Sequence, residues 1–197
     1  LMDEGEGVNQ TNIDKEDIGV GRFPVSTPDE AQTIVDKTIN YAIDKNAGDW
    51  QNTIFFMGDD GNENLHMQDV EDAATMIEGL NPAYHIKKVM WDAFNRVNSA
   101  QGATYPDVSK IIKQQQAQGA LIMDYVGHGV EYQISHENVL RLSDFTSFNN
   151  KNLPLWITAS CDIMPFDGTV ANIGESALLN PNGGAVAFFG TTRTVYA

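Results

Sequence analysis

From residue 26 onward the chain alternates between two apolar patterns. Some stretches carry an apolar residue every three or four positions, and others are apolar on successive residues. The first kind predicts helices. "STPDEAQTIVDKTINYAIDK" (26–45) has Ser26 or Thr27 to cap it, Pro28 in the first turn, and Asp29 and Glu30 at the positive end of the helix dipole. Its predicted apolar face is Ala31, Ile34, Val35, Thr38, Ile39 and Ala42. "MQDVEDAATMIEGL" (67–80) places Val70, Ala73, Ala74 and Ile77 on one side, "PDVSKIIKQQQAQG" (106–119) closes on Gly119, and "NIGESALLN" (172–180) is a shorter helix. The second kind predicts strands: "NTIFFMG" (52–58), "YHIKKVMW" (84–91), "ALIMDYV" (120–126), "LPLWITAS" (153–160) and "GGAVAFFG" (183–190), with "DIGVGRFPV" (17–25) as a short extended segment. Strands apolar on both faces and separated by helices call for a mainly parallel sheet covered on both sides, a three-layer α/β sandwich. Trp50, Phe55, Phe56, Trp91 and Trp156 fit the core or its margin.

Composition narrows the partners. With 197 residues, 42% of them hydrophobic, the chain can bury one sizeable core, predicted over 17–197 after a polar segment 1–16. The 12 Lys and Arg against 27 Asp and Glu give a net charge of −15, a field that repels phosphate backbones, so nucleic acid is not an expected partner. No run of 18 apolar residues occurs and the start has no signal-peptide pattern. The missing initiator Met leads us to expect a mature piece or a fragment. The single cysteine, Cys161, excludes an internal disulfide and a cysteine-based zinc site.

Two strand ends carry candidate chemistry. "LIMDYV" runs into "GHG", which puts His128 just past the sheet, and "LPLWITAS" runs into "CD", which puts Cys161 at the equivalent place. Ligands and catalytic groups collect at the carboxyl ends of parallel strands. A thiolate nucleophile, an imidazole that exchanges its proton and amide donors for the oxyanion make a cysteine peptidase site. Cys161 would supply the sulfur, His128 would protonate the leaving amine, and the amides of Gly129 and Cys161 would form the oxyanion hole. Gly127 and Gly129 would let the backbone turn sharply. A lone strand-end cysteine also serves as a small buried hydrophobe, and a turn histidine can have no role at all.

The ordered motifs "DIGVGRFPVSTPDEAQTIVDKTINYA", "YVGHGVE", "HENVLRLSDF", "LPLWITASCDIMPFD" and "GESALLNPNGGAVAFFGTTRTVYA" resemble the catalytic subdomain of the gingipain family of cysteine peptidases from about Asp17 onward. Within that family the likeness is greatest to the sortases of the type IX secretion system of Bacteroidetes. The resemblance implies a caspase-like fold with the family's histidine at His128 and its cysteine at Cys161. It implies an endopeptidase and transpeptidase that removes C-terminal sorting domains from exported proteins through a thioester, with lipopolysaccharide as one acceptor of the new carboxyl end. It further implies other components of that secretion system as partners and a place on the outer membrane or cell surface of a Gram-negative bacterium. No cofactor is required by such chemistry, although relatives often bind calcium. The N-terminal β-rich and C-terminal immunoglobulin-like regions of a full-length sortase of this kind are not in the sequence. A catalytically inactive scaffold of the same fold, and a different hydrolase or a thiol redox sensor using Cys161 without His128, are the competing readings.

The remaining residues leave alternatives open. Glu131 can orient a substrate amine or sit as a solvated loop carboxylate. Asp59 and Asp60, after the first strand, can orient His128, bind calcium or simply form a turn; Gly61 follows them too early for the usual calcium-loop spacing. Thr191, Thr192 and Arg193 follow the last strand, where the resemblance implies the border of a specificity pocket, and Arg193 can equally pair with a nearby carboxylate. His66, His85 and His136 show no metal-ligand spacing.

Overall fold

The computed structural model describes residues 19–100 and 102–195, so the predicted polar segment 1–16 and the start of the 17–25 segment lie outside the described residues. Residues 19–26 form neither helix nor strand. The elements then follow in order: α1 (Pro28–Ala42), β1 (Thr53–Gly58), α2 (Leu65–Leu80), β2 (His85–Met90), β3 (Val97–Ser99), β4 (Gly102–Thr104), α3 (Pro106–Gln118), β5 (Ile122–Val126), β6 (Gly129–Val130), β7 (Gln133–Ile134), β8 (Leu140–Arg141), α4 (Leu142–Ser147), β9 (Leu155–Ala159), α5 (Ile173–Leu179) and β10 (Ala187–Gly190). All five predicted strands and all four predicted helices are present. The two short antiparallel sheets, β3–β4 and β6–β7–β8, and α4 carry no apolar periodicity long enough to announce them.

The main sheet is parallel throughout, in the order β10-β9-β5-β1-β2. Alternate residues face opposite layers. Phe55, Met57, Met123, Tyr125 and Trp156 join Val108 and Ile112 of α3, Phe145 of α4 and Ile173 and Ala177 of α5 in the larger core. Ile54 and Phe56, with Ile122 and Val126 beside them, pack on Val70 and Ala74 of α2 in the smaller one. This is the caspase-like three-layer α/β arrangement. Burying one such side chain contributes about 1.5–3 kcal/mol, so β1, buried at all six positions, is a principal anchor.

The cap of α1 forms as a reciprocal box: Thr27 Oγ1 accepts the Glu30 N–H at 3.2 Å, and the Glu30 carboxylate accepts the Thr27 N–H at 3.0 Å. Its predicted apolar face is corrected. Only Ile34 is buried, while Val35 and Ile39 stay exposed, because α1 packs on α5 rather than on the sheet. What fastens it there is polar. The Lys37 Nζ lies 2.8–3.2 Å from the carbonyls of Ala177, Leu178, Asn180 and Gly183 around the C-terminal end of α5. Burial pulls this ammonium down to about 8.

Candidate active site

Register brings the candidate residues together. Gly58 pairs with Val126 and Val126 with Ala159, so β1, β5 and β9 end level with one another. The ladder continues past those ends through Asp59 N–H to the Val126 carbonyl at 3.3 Å and Gly127 N–H to the Ala159 carbonyl at 3.2 Å. The chain crosses from β1 to β2 on one side and returns to β5 on the other, so this line of residues stands at the topological switch point of the sheet. His128 and Cys161 emerge from neighbouring strands and line one cleft of about 680 Å³ with His66, Asp69 and Thr194. Val126, Ile157, Ala159 and Phe189 give this cleft an apolar wall.

The glycines around His128 leave room for its neighbours. Neither Gly127 nor Gly129 sits in the left-handed φ region; the need is for space. A Cβ on Gly127 would strike the Tyr125 hydroxyl and come within 2.6 Å of the Asp59 carboxylate. One on Gly129 would strike the Ser160 hydroxyl and come within 2.7 Å of Ile163 Cδ1. The Ser135 N–H donates to the His128 carbonyl at 2.8 Å, which makes Gly129 and Ile134 a non-hydrogen-bonded pair and leaves the Gly129 N–H outside the β6–β7 ladder. Ser160 Oγ is buried and has no hydrogen-bond partner among the described residues. The Cys161 thiol donates to the Val195 carbonyl at 3.4 Å.

Asp59 is the hub beneath His128. Its carboxylate is 1% exposed and accepts the His128 N–H at 2.7 Å, the Tyr125 hydroxyl at 3.0 Å, the Gly61 N–H at 3.1 Å and His66 Nδ1 at 2.5 Å. It orients the His128 backbone and not the ring. The Asn62 amide nitrogen sits 3.1 Å from His66 Nε2, which fits the tautomer with the His66 proton on Nδ1. Asp60 is spent elsewhere, accepting the Tyr105 hydroxyl at 2.7 Å and helping to push that phenol up to about 12 after the larger effect of burial. Both aspartates thus direct oxygens at N–H and O–H donors.

The other sequence candidates divide. Glu131 lies in the two-residue turn between β6 and β7, and its backbone carbonyl accepts the Ile173 N–H at 2.9 Å, tying that turn to the start of α5. Thr191 lines the cleft and its hydroxyl donates to the Ser160 carbonyl. Thr192 gives its carbonyl to Arg193 Nη1 at 2.6 Å. Arg193 takes the structural alternative: it forms a two-pronged pair with Asp167 at 3.0 and 2.5 Å, both partners exposed.

Sequence reasoning passed over two histidines that the fold brings to His128. The His66 ring meets it edge-on with centroids 5.0 Å apart, and the His136 ring lies parallel to it, 4.3 Å away and 12° from coplanar. Spacing searches for metal ligands could not reveal them, since one comes from α2 and the other from the loop between β7 and β8. Burial pulls the His128 imidazole below its ordinary value. Asp59 pulls it up, His136 and His66 push it further down, and Glu137 pulls it up. The net lowering favours the neutral ring, the state in which it can take a thiol proton.

His128 and Cys161 thus stand past the ends of adjacent strands of one parallel sheet and line the same cleft. The chain belongs to peptidase family C25, the gingipain family of cysteine peptidases, whose family model matches residues 5–197. Its fold is similar to that of the Arg-specific cysteine proteinase gingipain R, with a TM-score of 0.70 at 17% identity over 89% of this chain and 40% of that one. It is also similar to RgpB in a complex of the Porphyromonas gingivalis pro- and mature domains, with a TM-score of 0.66 at 17% identity, 89% of this chain and 41% of that one. A structure described as a protease matches at 0.70, 18%, 87% and 36%. The chain thus spans about two fifths of the length of these solved relatives. No curated protein sequence matches it.

Proposed function

We propose that this chain is the catalytic subdomain of a cysteine endopeptidase in which Cys161 is the nucleophile and His128 the proton carrier. One observation carries the reading: the level ends of β5 and β9 direct His128 and Cys161 into one open cleft. In this reaction the neutral His128 takes the thiol proton as Sγ attacks the scissile carbonyl carbon. The developing oxyanion is met by the N–H groups of Gly129 and Cys161. The C–N bond breaks, the leaving amine takes the proton from the imidazolium, and a thioester on Cys161 remains. Water restores the free enzyme by hydrolysis and an amine by transpeptidation, each losing a proton to His128.

At a finer level we read it as a PorU-like sortase of the type IX secretion system, acting at the outer membrane or cell surface with other components of that system. Its substrates are exported proteins carrying C-terminal sorting domains, and lipopolysaccharide is the amine-bearing acceptor. The motifs around "GHG" and "ASCD" support this reading. Two experiments test it. Labelling by an irreversible peptidyl acyloxymethyl ketone, read by intact mass, is expected to be fast in the wild type and to collapse in His128→Ala. A cargo protein with its sorting domain should be cleaved by the wild type and not by Cys161→Ala. Equal slow labelling in wild type and His128→Ala defeats the peptidase reading, and labelling without cargo cleavage defeats only the sortase.

A further inference from the structure

Among the described residues no carboxylate hydrogen-bonds the His128 ring, and the Asp59 carboxylate accepts the backbone N–H beneath it. What meets the ring is two other imidazoles. His136 lies flat on it at 4.3 Å and 12°, and His66 stands edge-on at 5.0 Å. His66 lines the cleft beside Cys161, whereas His136 does not. His136 is itself solvent-exposed, yet both its neighbours are buried and fastened. Ser135 holds a left-handed backbone at φ 66°, which a non-glycine residue keeps only where its surroundings impose it. Here they do: its N–H donates to the His128 carbonyl at 2.8 Å, its hydroxyl donates to Glu137 at 2.6 Å, and that hydroxyl accepts the Trp91 indole N–H at 3.1 Å. Glu137 in turn pairs with Arg96 at 3.3 Å. The turn that carries His136 is thus bolted to the same carbonyl that belongs to His128, so the two rings share one frame.

We propose that His136 is a positioning residue for the peptidase chemistry: its ring, carried by the anchored Ser135–Glu137 turn, is the flat wall that fixes the plane of the His128 imidazole beside Cys161. This inference rests on the Cys161–His128 reading above. Stacking of this kind restricts rotation about the side-chain torsions while leaving both ring nitrogens free to exchange protons. The titratable groups facing His128 are Asp59 from the end of β1, His66 from α2, and His136 and Glu137 from the loop between β7 and β8.

Two variants of the full chain separate plane from charge. His136→Ala removes both, and His136→Phe keeps a flat ring and removes the second imidazole. Cys161 labelling is expected to fall at least about tenfold in His136→Ala, since small misplacements of reacting groups are costly, and to be largely rescued in His136→Phe. The titration midpoint of His128, read by long-range ¹H–¹⁵N NMR and assigned with His128→Ala, should rise in both, because His136 is one of the groups that hold it down. Wild-type labelling in folded His136→Ala, or His136→Phe as slow as His136→Ala, overturns the proposal. The NMR readout needs no turnover, so it separates the two failures. If wild type labels no faster than His128→Ala, the peptidase reading falls and the positioning role with it, and a His128 midpoint unmoved in both variants then shows that the two rings do not meet in solution.

Discussion

Removing the Asp59 carboxylate should damage stability and chemistry together. Asp59→Ala takes away the acceptor for the N–H groups of His128 and Gly61 and for His66 Nδ1, at a site 1% exposed. Tyr125 suffers less, because its hydroxyl also has the His128 carbonyl at 2.7 Å. Hydrogen bonds to charged groups contribute about 1.5–3 kcal/mol each but do not add, and breaking a buried charged network costs about 3–5 kcal/mol in all. We take the latter figure, a large part of the about 5–15 kcal/mol that holds a domain folded, and equivalent to a fall in Tm of about 10 °C or more. Asp59→Asn keeps the volume and one acceptor, so it should lose less, about 1–3 kcal/mol. Equilibrium urea unfolding under reducing conditions gives the stabilities, and Cys161 labelling below the unfolding transition reports on the His128 turn. A loss under about 1 kcal/mol in Asp59→Ala with wild-type labelling would falsify the assignment of Asp59 as the hub.

Three further outcomes follow from the packing. Gly129→Ala forces a methyl against Ser160 and Ile163, so it should cost about 1–3 kcal/mol and slow Cys161 labelling, whereas a silent variant in both assays rules out the close approach. Asp124, pushed up to about 6 by burial, binds more protons folded than unfolded between pH 3.8 and 6, so stability falls as pH rises through that window. Asp124→Asn should therefore gain up to about 3 kcal/mol at pH 7 and nothing below pH 4, which pH-dependent unfolding checks directly. Lys37→Met strands the carbonyls at the end of α5 and should cost about 2–4 kcal/mol; an unchanged unfolding midpoint contradicts the role given to that ammonium.

The five strands and four main helices were legible because each carries a periodic apolar pattern that only one kind of backbone can bury. So was the placement of His128 and Cys161 past strand ends, since a break such as "GHG" or "SCD" after an apolar run marks where a parallel strand leaves the core. The α1 face was misread for a reason of the same kind. Periodicity shows which residues could be buried, and the outer layer uses Lys37 beside the predicted Ile34 while leaving Val35 and Ile39 exposed.

Only the tertiary structure could decide which strand ends lie level, and hence that Asp59, His128 and Cys161 share one line. That depends on register between segments about thirty and seventy residues apart, which no local pattern encodes. The same holds for the histidines. His66 and His136 carry no mark in the sequence that ties them to His128, because side-chain contacts across elements are made by backbone hydrogen bonds and packing elsewhere, here the Asp59 hub and the strained Ser135 turn. Local propensity determined the pieces of this protein, and cooperative long-range pairing determined which of its imidazoles touch.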